Sequence, residues 1–261
     1  MIRRLFLGSL LLILASMTIT SCSEEKSHNI DTVDISNDWQ LFSSEDNEFS
    51  GDVISLNGFE ASKSYTINVP TTVLNALVDN GVYDSVYVGL NLEKIDKKQF
   101  QQPWWYRNVF SINNIGQNYE LNFEGINYKA NIWLNGKIIA DTTEVNNAFK
   151  MYSFDITSLL TEGDNVLAVE VFAPIAGDFS IGFVDWNPSP ADQNMGIFRA
   201  VTLNAINKVQ IFNPYVESYF KNDDYNTAFH NVSMSLKNYT NSDIKGAASV
   251  NINGKLIIKN V

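Results

Sequence analysis

Cysteine and histidine, which supply most nucleophiles, general bases and metal ligands in proteins, are almost absent from this chain: its 261 residues hold one Cys, Cys22, and two His, His28 and His230. That count excludes a disulfide framework, a zinc cluster and a Cys-His dyad, and it leaves little for a Ser-His-Asp triad. Carboxylates are the one plentiful reactive type, with 29 Asp and Glu against 18 Lys and Arg. Any chemistry here therefore rests on carboxyl groups acting as acids, bases or nucleophiles. The formal charge of −11 removes nucleic acid from the expected partners, because gripping a phosphate backbone needs a basic footprint. No ligand spacing marks a metal site and no cofactor motif occurs, so neither is expected; a calcium ion held by backbone carbonyls would leave no such trace.

The remaining residues must build a frame for those groups. With 45% hydrophobic, 12% aromatic and only 18% charged residues, the chain can fill a sizeable core. Apolar and polar residues alternate in short runs: Tyr65, Ile67, Val69; Tyr119, Leu121, Phe123; Ala130, Ile132, Leu134; Leu167, Val169, Val171; Val201, Leu203. A period of two predicts half-buried strands. Asn135-Gly136 suits the two positive φ values of a type I′ turn and predicts a hairpin from about Tyr128 to Ala140. Helix signals are few. One short helix is predicted after Pro70-Thr71, running to about Asp79 with Gly81 near its end, and one further turn at Asp155–Leu160 with an Asp or Thr cap. A second unit starts near Asn207, where Val232, Met234, Leu236 and Ala248, Val250, Ile252 alternate ahead of an Asn253-Gly254 turn. These read as immunoglobulin-type strands, yet residues 207–261 supply only about half of the ~100 residues such a sandwich uses.

The N-terminus reads as an address. Arg3 and Arg4, an apolar run from Leu5 to about Ile19 and small residues before Cys22 have the layout of a signal peptide over residues 1–21. The run is short for a membrane span of ~20 residues. Ile19-Thr20-Ser21-Cys22 resembles a bacterial lipobox, in which the cysteine is acylated and becomes the first residue of the exported protein. That resemblance implies an exported lipoprotein anchored to the outer membrane through Cys22, facing the periplasm or the cell surface. An ordinary cleaved signal leaving a free thiol is the alternative. Ser23-Glu24-Glu25-Lys26 reads either as a surface-export tag or as solvated linker, within a polar tether over residues 22–37.

Several stretches fall in a familiar order: Pro70-Thr71-Thr72-Val73-Leu74, Gly89-Leu90-Asn91-Leu92, Pro103-Trp104-Trp105-Tyr106-Arg107, Gly125-Ile126-Asn127-Tyr128-Lys129-Ala130 with Trp133-Leu134-Asn135-Gly136, Phe154-Asp155-Ile156-Thr157, and Phe183-Val184-Asp185-Trp186-Asn187-Pro188 leading to Asn194-Met195-Gly196-Ile197-Phe198-Arg199. Together they resemble the N-terminal region of glycoside hydrolase family 2, in its exo-β-glucosaminidase and β-mannosidase branch. The resemblance implies an all-β chain: a galactose-binding-like jelly-roll sandwich over residues 38–206, followed by an incomplete immunoglobulin-like β-sandwich over 207–261. In that family a TIM barrel follows and carries two catalytic glutamates. Those glutamates have no counterpart here, since the one Asn-Glu pair, Asn47-Glu48, lies before the expected strands and reads as solvated surface. Retaining hydrolysis needs two carboxyl groups about 5–5.5 Å apart, and no such pair can be placed, so no residue is assigned a catalytic role. The chain thus resembles a fragment whose barrel is its missing partner.

An exo-acting pocket closes around one terminal sugar, and in this family the jelly roll helps to cover the barrel face. The resemblance assigns that task to Asp185, Trp186 and Asn187: a carboxylate accepts hydrogen bonds from sugar hydroxyls or an amino group, and an indole offers a flat face to C–H groups or an ammonium. A turn-forming Asp and a core Trp are the alternative. Trp104 and Trp105 point to opposite faces of a strand, so at most one can line a sugar site, and both are expected mainly in the core. Arg107 and Arg199 are expected on carboxylates across the fold or at an interdomain seam in preference to ligand, and Asn127 and Tyr128 as side chains that hold a loop, with direct sugar contact the alternative. The expected activity is hydrolysis of terminal β-linked sugars, with a carbohydrate as partner. A non-catalytic surface glycan-binding lipoprotein, and an adhesin or scaffold, are the competing readings. The sequence leaves open which terminal sugar is used and the oligomeric state.

Overall fold

The computed structural model describes residues 32–183, 186–221 and 224–260. The signal, Cys22 and Asp185 lie outside the described residues. Two antiparallel sheets face each other. One has the strand order Thr32–Asp34, Val201–Ile206, Asn118–Phe123, Tyr152–Asp155; the other runs Tyr65–Ile67, Trp39–Ser43, Trp104–Ile112, Gly163–Phe172, Lys129–Leu134, Lys137–Ala140. Of the alternating runs between Tyr65 and Leu203, all but Val69, which lies just past Tyr65–Ile67, fall on these strands, and their apolar members, among them Leu121, Phe123, Ile132, Leu167, Val169 and Leu203, fill the space between the sheets. The expectation of a galactose-binding-like sandwich holds.

The predicted local signals form as their chemistry requires. Asn135 and Gly136 have φ of 51° and 80° and turn Lys129–Leu134 into Lys137–Ala140. The helix α2 spans Val73–Asp79, with the Thr72 hydroxyl accepting from the Asn75 N–H at its start. At Thr157–Leu159 a single 3-10 turn forms, and the Asp155 carboxylate accepts from the Thr157 N–H and hydroxyl.

Two expectations need correction. The tether was to run to Asn37, but Thr32–Asp34 pairs with Thr202–Asn204 and Ile35 is buried, so the sandwich begins inside that stretch. A three-residue strand is too short to display a period. Arg107 was expected on a carboxylate, and it finds carbonyls instead. It lies 5% exposed on the outer face of the six-stranded sheet, where Nε donates to Ile54 O at 3.0 Å, one terminal nitrogen to Leu56 O at 3.0 Å and the other to Gln40 Oε1 at 2.9 Å. The two backbone carbonyls come from the short helix α1, Gly51–Ile54, and the turn after it, which cover Phe42, Trp105 and Ala168 as a second small core. Gly51 makes this possible, since a Cβ there would sit 2.1 Å from the Trp133 ring. Covered on both faces, the strand Trp104–Ile112 is buried without interruption from Trp104 to Asn108 and alternates only beyond it.

Beyond Asn207 the chain forms two two-stranded ribbons, Val209–Lys221 with Asp224–Asn238 and Ala247–Ile252 with Lys255–Asn260. Asn253 and Gly254, with φ of 50° and 81°, make the predicted second turn. At the seam with the sandwich, Gln210 Nε2 donates to Glu120 Oε1 at 3.2 Å, and the Tyr239 hydroxyl lies 3.0 Å from Gln210 Oε1.

Candidate functional site

One long loop, residues 173–195, joins the strand Gly163–Phe172 to the two-residue strand Gly196–Ile197. Its C-terminal base is held by a node of buried polar groups. Asn127, fully buried, exchanges backbone hydrogen bonds with Gly196 at 2.9 and 2.7 Å, and its Nδ2 donates to the carbonyls of Gln193 at 3.0 Å and Asn194 at 2.9 Å. Asp192, also fully buried, accepts from the Leu74 N–H at 2.8 Å and the Asn194 N–H at 2.9 Å, which ties the loop to the first turn of α2. Burial raises the Asp192 pKa, while the hydrogen bonds to the backbone and the Thr72 hydroxyl oppose the rise. Gly196–Ile197 pairs with Thr71–Thr72, whose Thr71 carbonyl also accepts from the Tyr106 hydroxyl at 3.2 Å. Burial, and then the nearby Asp192, push the Tyr106 phenol well up, so it stays a neutral donor. Four of the sequence motifs thus meet at one point: Pro70–Leu74, Pro103–Arg107, Gly125–Ala130 and Asn194–Arg199.

Away from this base the loop presents apolar side chains to solvent. Asp178 steadies its first turn by accepting from the Ile175 N–H at 3.0 Å and pairing with Lys129 Nζ at 3.5 Å. Phe179 meets Phe149 edge-on with centroids 5.3 Å apart, and both rings are exposed, as are Ile175 and Met151. Trp186 is 82% exposed and Asn187 is exposed beside it. Trp186 is therefore not a core residue.

The other aromatic candidates are core. Trp104 stacks on Phe100 and donates to the Gln99 carbonyl at 3.0 Å inside the main core, and Trp105 packs on Trp133 in the second one, so neither presents a face to ligand. Arg199 is exposed, over the Phe198 ring. In the Asn47-Glu48 pair, Glu48 is exposed as expected, but Asn47 is buried and accepts from the Ser62 N–H at 3.1 Å. Asn127 holds a loop, as its place ahead of the hairpin suggested. Asp192 was missed; the signal that could have found it is Asp192-Gln193-Asn194, the spacing of an Asp that accepts from the N–H two residues on. Among the described residues no group of three or more His, Cys, Asp or Glu could hold a metal ion.

Comparison with known proteins places this geometry in context. The glycosyl hydrolase 2 galactose-binding domain-like family matches residues 39–181. An exo-β-D-glucosaminidase of Amycolatopsis orientalis is 30% identical over 202 residues, which cover 77% of this chain and 19% of that enzyme. One of Hypocrea jecorina is 34% identical over 179 residues, covering 67% and 20%. The crystal structure of the Amycolatopsis orientalis exo-chitosanase CsxA superposes with a TM-score of 0.80 at 28% identity, over 88% of this chain and 27% of that one. The chain thus spans about a fifth of the length of these curated relatives.

Proposed function

We propose, since this chain belongs to the glycosyl hydrolase 2 galactose-binding domain-like family, that it is the non-catalytic N-terminal part of an exo-acting glycosidase removing terminal β-linked sugars of glucosaminide or mannoside type. In this reading the chain forms one wall of the sugar pocket, and the reacting carboxylates belong to a separate barrel domain. The observation that carries it is Trp186: a large indole 82% exposed, on a loop whose base is fixed by the buried Asn127 and Asp192. An unshielded ring leaves its face open to stacking against a sugar, and the pinned base limits where the loop can carry it. Asp185 and Asn187 flank the ring in sequence and supply a carboxylate and an amide for hydroxyl or amino groups. The names of the relatives, exo-β-D-glucosaminidases among them, support the substrate class.

The test is titration of the purified chain with glucosamine and with mannose, followed by NMR. Binding is expected around millimolar, because a single exposed wall barely offsets the cost of association. Trp186→Ala and Asp185→Ala should each abolish the binding read at the Asn187 amide, with the fold intact. Nitrophenyl β-glucosaminide and β-mannoside should be hydrolysed no faster than background. Robust turnover that disappears on mutating two of the chain's own acids would overturn the reading.

The same reading places the chain outside the cytoplasm, held to the outer membrane by acylated Cys22. The lipobox-like Ile19-Thr20-Ser21-Cys22 and the lack of a second cysteine to pair with it support this. Labelled fatty acid should enter the wild type and not Cys22→Ser, and equal labelling of the two would remove the anchor.

A further inference from the structure

Between the base of the 173–195 loop and the 3-10 turn Lys97–Phe100 lies a cleft of about 600 Å³. That volume is within the roughly 300–1,000 Å³ of small-molecule sites. Its lining divides by chemistry. Pro174, Pro190 and Ile175 give it stiff apolar surfaces, while Lys97, Gln101, Ser189 and Gln193 bring an ammonium, two amides and a hydroxyl to the same space. None of these four side chains is engaged in a hydrogen bond or ion pair among the described residues, unlike the neighbouring Gln99, whose amide is bonded to the Asp96 carbonyl at 3.0 Å. Free donors and acceptors around an apolar surface match a ligand that alternates C–H faces with hydroxyls.

We propose that this cleft is a second saccharide subsite, distinct from the Trp186 face, and that it takes uncharged or carboxylate-bearing sugar units in preference to ammonium-bearing ones. The proposal rests on the reading of this chain as a sugar-handling domain. The preference follows from Lys97, the one charged side chain among the described residues lining the cleft. Amide and hydroxyl ends serve any sugar, whereas an ammonium group meets like charge and a carboxylate meets its complement. The chain as a whole is strongly acidic, so without Lys97 a cationic sugar would be favoured.

The experiment titrates the isotope-labelled full chain with three β-1,4-linked disaccharides: mannobiose, cellobiouronic acid and the disaccharide of glucosamine. Mannobiose and cellobiouronic acid should give saturable amide shifts at Gln101, Ile175 and Gln193, and the glucosamine disaccharide should bind about threefold more weakly there, the scale of one partly solvated charge pair. Lys97→Glu, a change on an exposed side chain that leaves the fold alone, should reverse the order. Absence of saturable shifts at those amides with all three sugars overturns the subsite. If Trp186 and Asn187 shift in that case, the proposed function survives it, and if only the cleft shifts, the cleft survives and the Trp186 wall does not. An order of preference untouched by Lys97→Glu overturns the charge selection.

Discussion

Gly196→Ala should lower stability by about 3 kcal/mol or more, among the largest effects of any single added methyl in this chain. A Cβ at Gly196 would lie 2.5 Å from the Tyr106 hydroxyl, 2.7 Å from the Thr71 carbonyl oxygen and 2.8 Å from the Thr72 Cα. Two of those three atoms are backbone, held by the pairing of Gly196–Ile197 with Thr71–Thr72, so no side-chain rotation relieves them. The φ of 148° adds strain, because L side chains rarely adopt it. Urea denaturation should show a lower midpoint with an unchanged slope. Gly182→Ala, on the same loop with nothing within 4 Å of the new methyl, should stay within about 0.5 kcal/mol of wild type. Adding Tyr106→Phe removes only the hydroxyl clash and should recover little, and full rescue by that change would place the strain in the phenol instead of the backbone.

The positions around Gly196 also show which features were open to sequence reasoning. Signals that act over three or four residues were legible: the Asn135-Gly136 turn, the Thr72 cap of α2 and the alternation of Tyr119, Leu121 and Phe123 each depend on neighbours in the chain. Features made by segments far apart were not. Arg107 looked like half of an ion pair because a charge in a strand usually seeks its opposite; its true partners are the carbonyls of Ile54 and Leu56, exposed to it by a four-residue helix too short to carry an amphipathic period. Asp192 and Asp178 are indistinguishable as letters in a polar loop, yet one is fully buried beneath α2 and the other pairs with Lys129. The display face lies between these cases. That Trp186 stands in solvent could not be read from Asp185-Trp186-Asn187-Pro188, which suits a buried turn equally well; only its exposure in the folded chain decides it.

Asp192→Ala should be nearly as damaging, at about 3 kcal/mol, since it leaves the buried Leu74 N–H and the part-buried Asn194 N–H without their acceptor. The loop should loosen with it, because Asp192 is a tie between the 173–195 loop and α2, and protease should cut the loop faster than in the wild type at equal concentration. Asp192→Asn separates shape from charge. An amide oxygen replaces one carboxylate oxygen, but its NH2 then faces the other N–H, so about 1–3 kcal/mol is still lost. The pH dependence gives the sharper reading. Burial raises the carboxyl's pKa in the folded protein above its unfolded value, so between those two values the folded state holds a proton that the unfolded state has released. Folding stability therefore falls as pH rises from the ordinary carboxylate range to the raised folded value, and levels off above it. Asp192→Asn cannot titrate and should lack this fall, so the gap in stability between wild type and Asp192→Asn should narrow as pH rises through that window. A gap that widens instead would mean that hydrogen bonds to the ionised form outweigh burial, and that Asp192 is held by its charge.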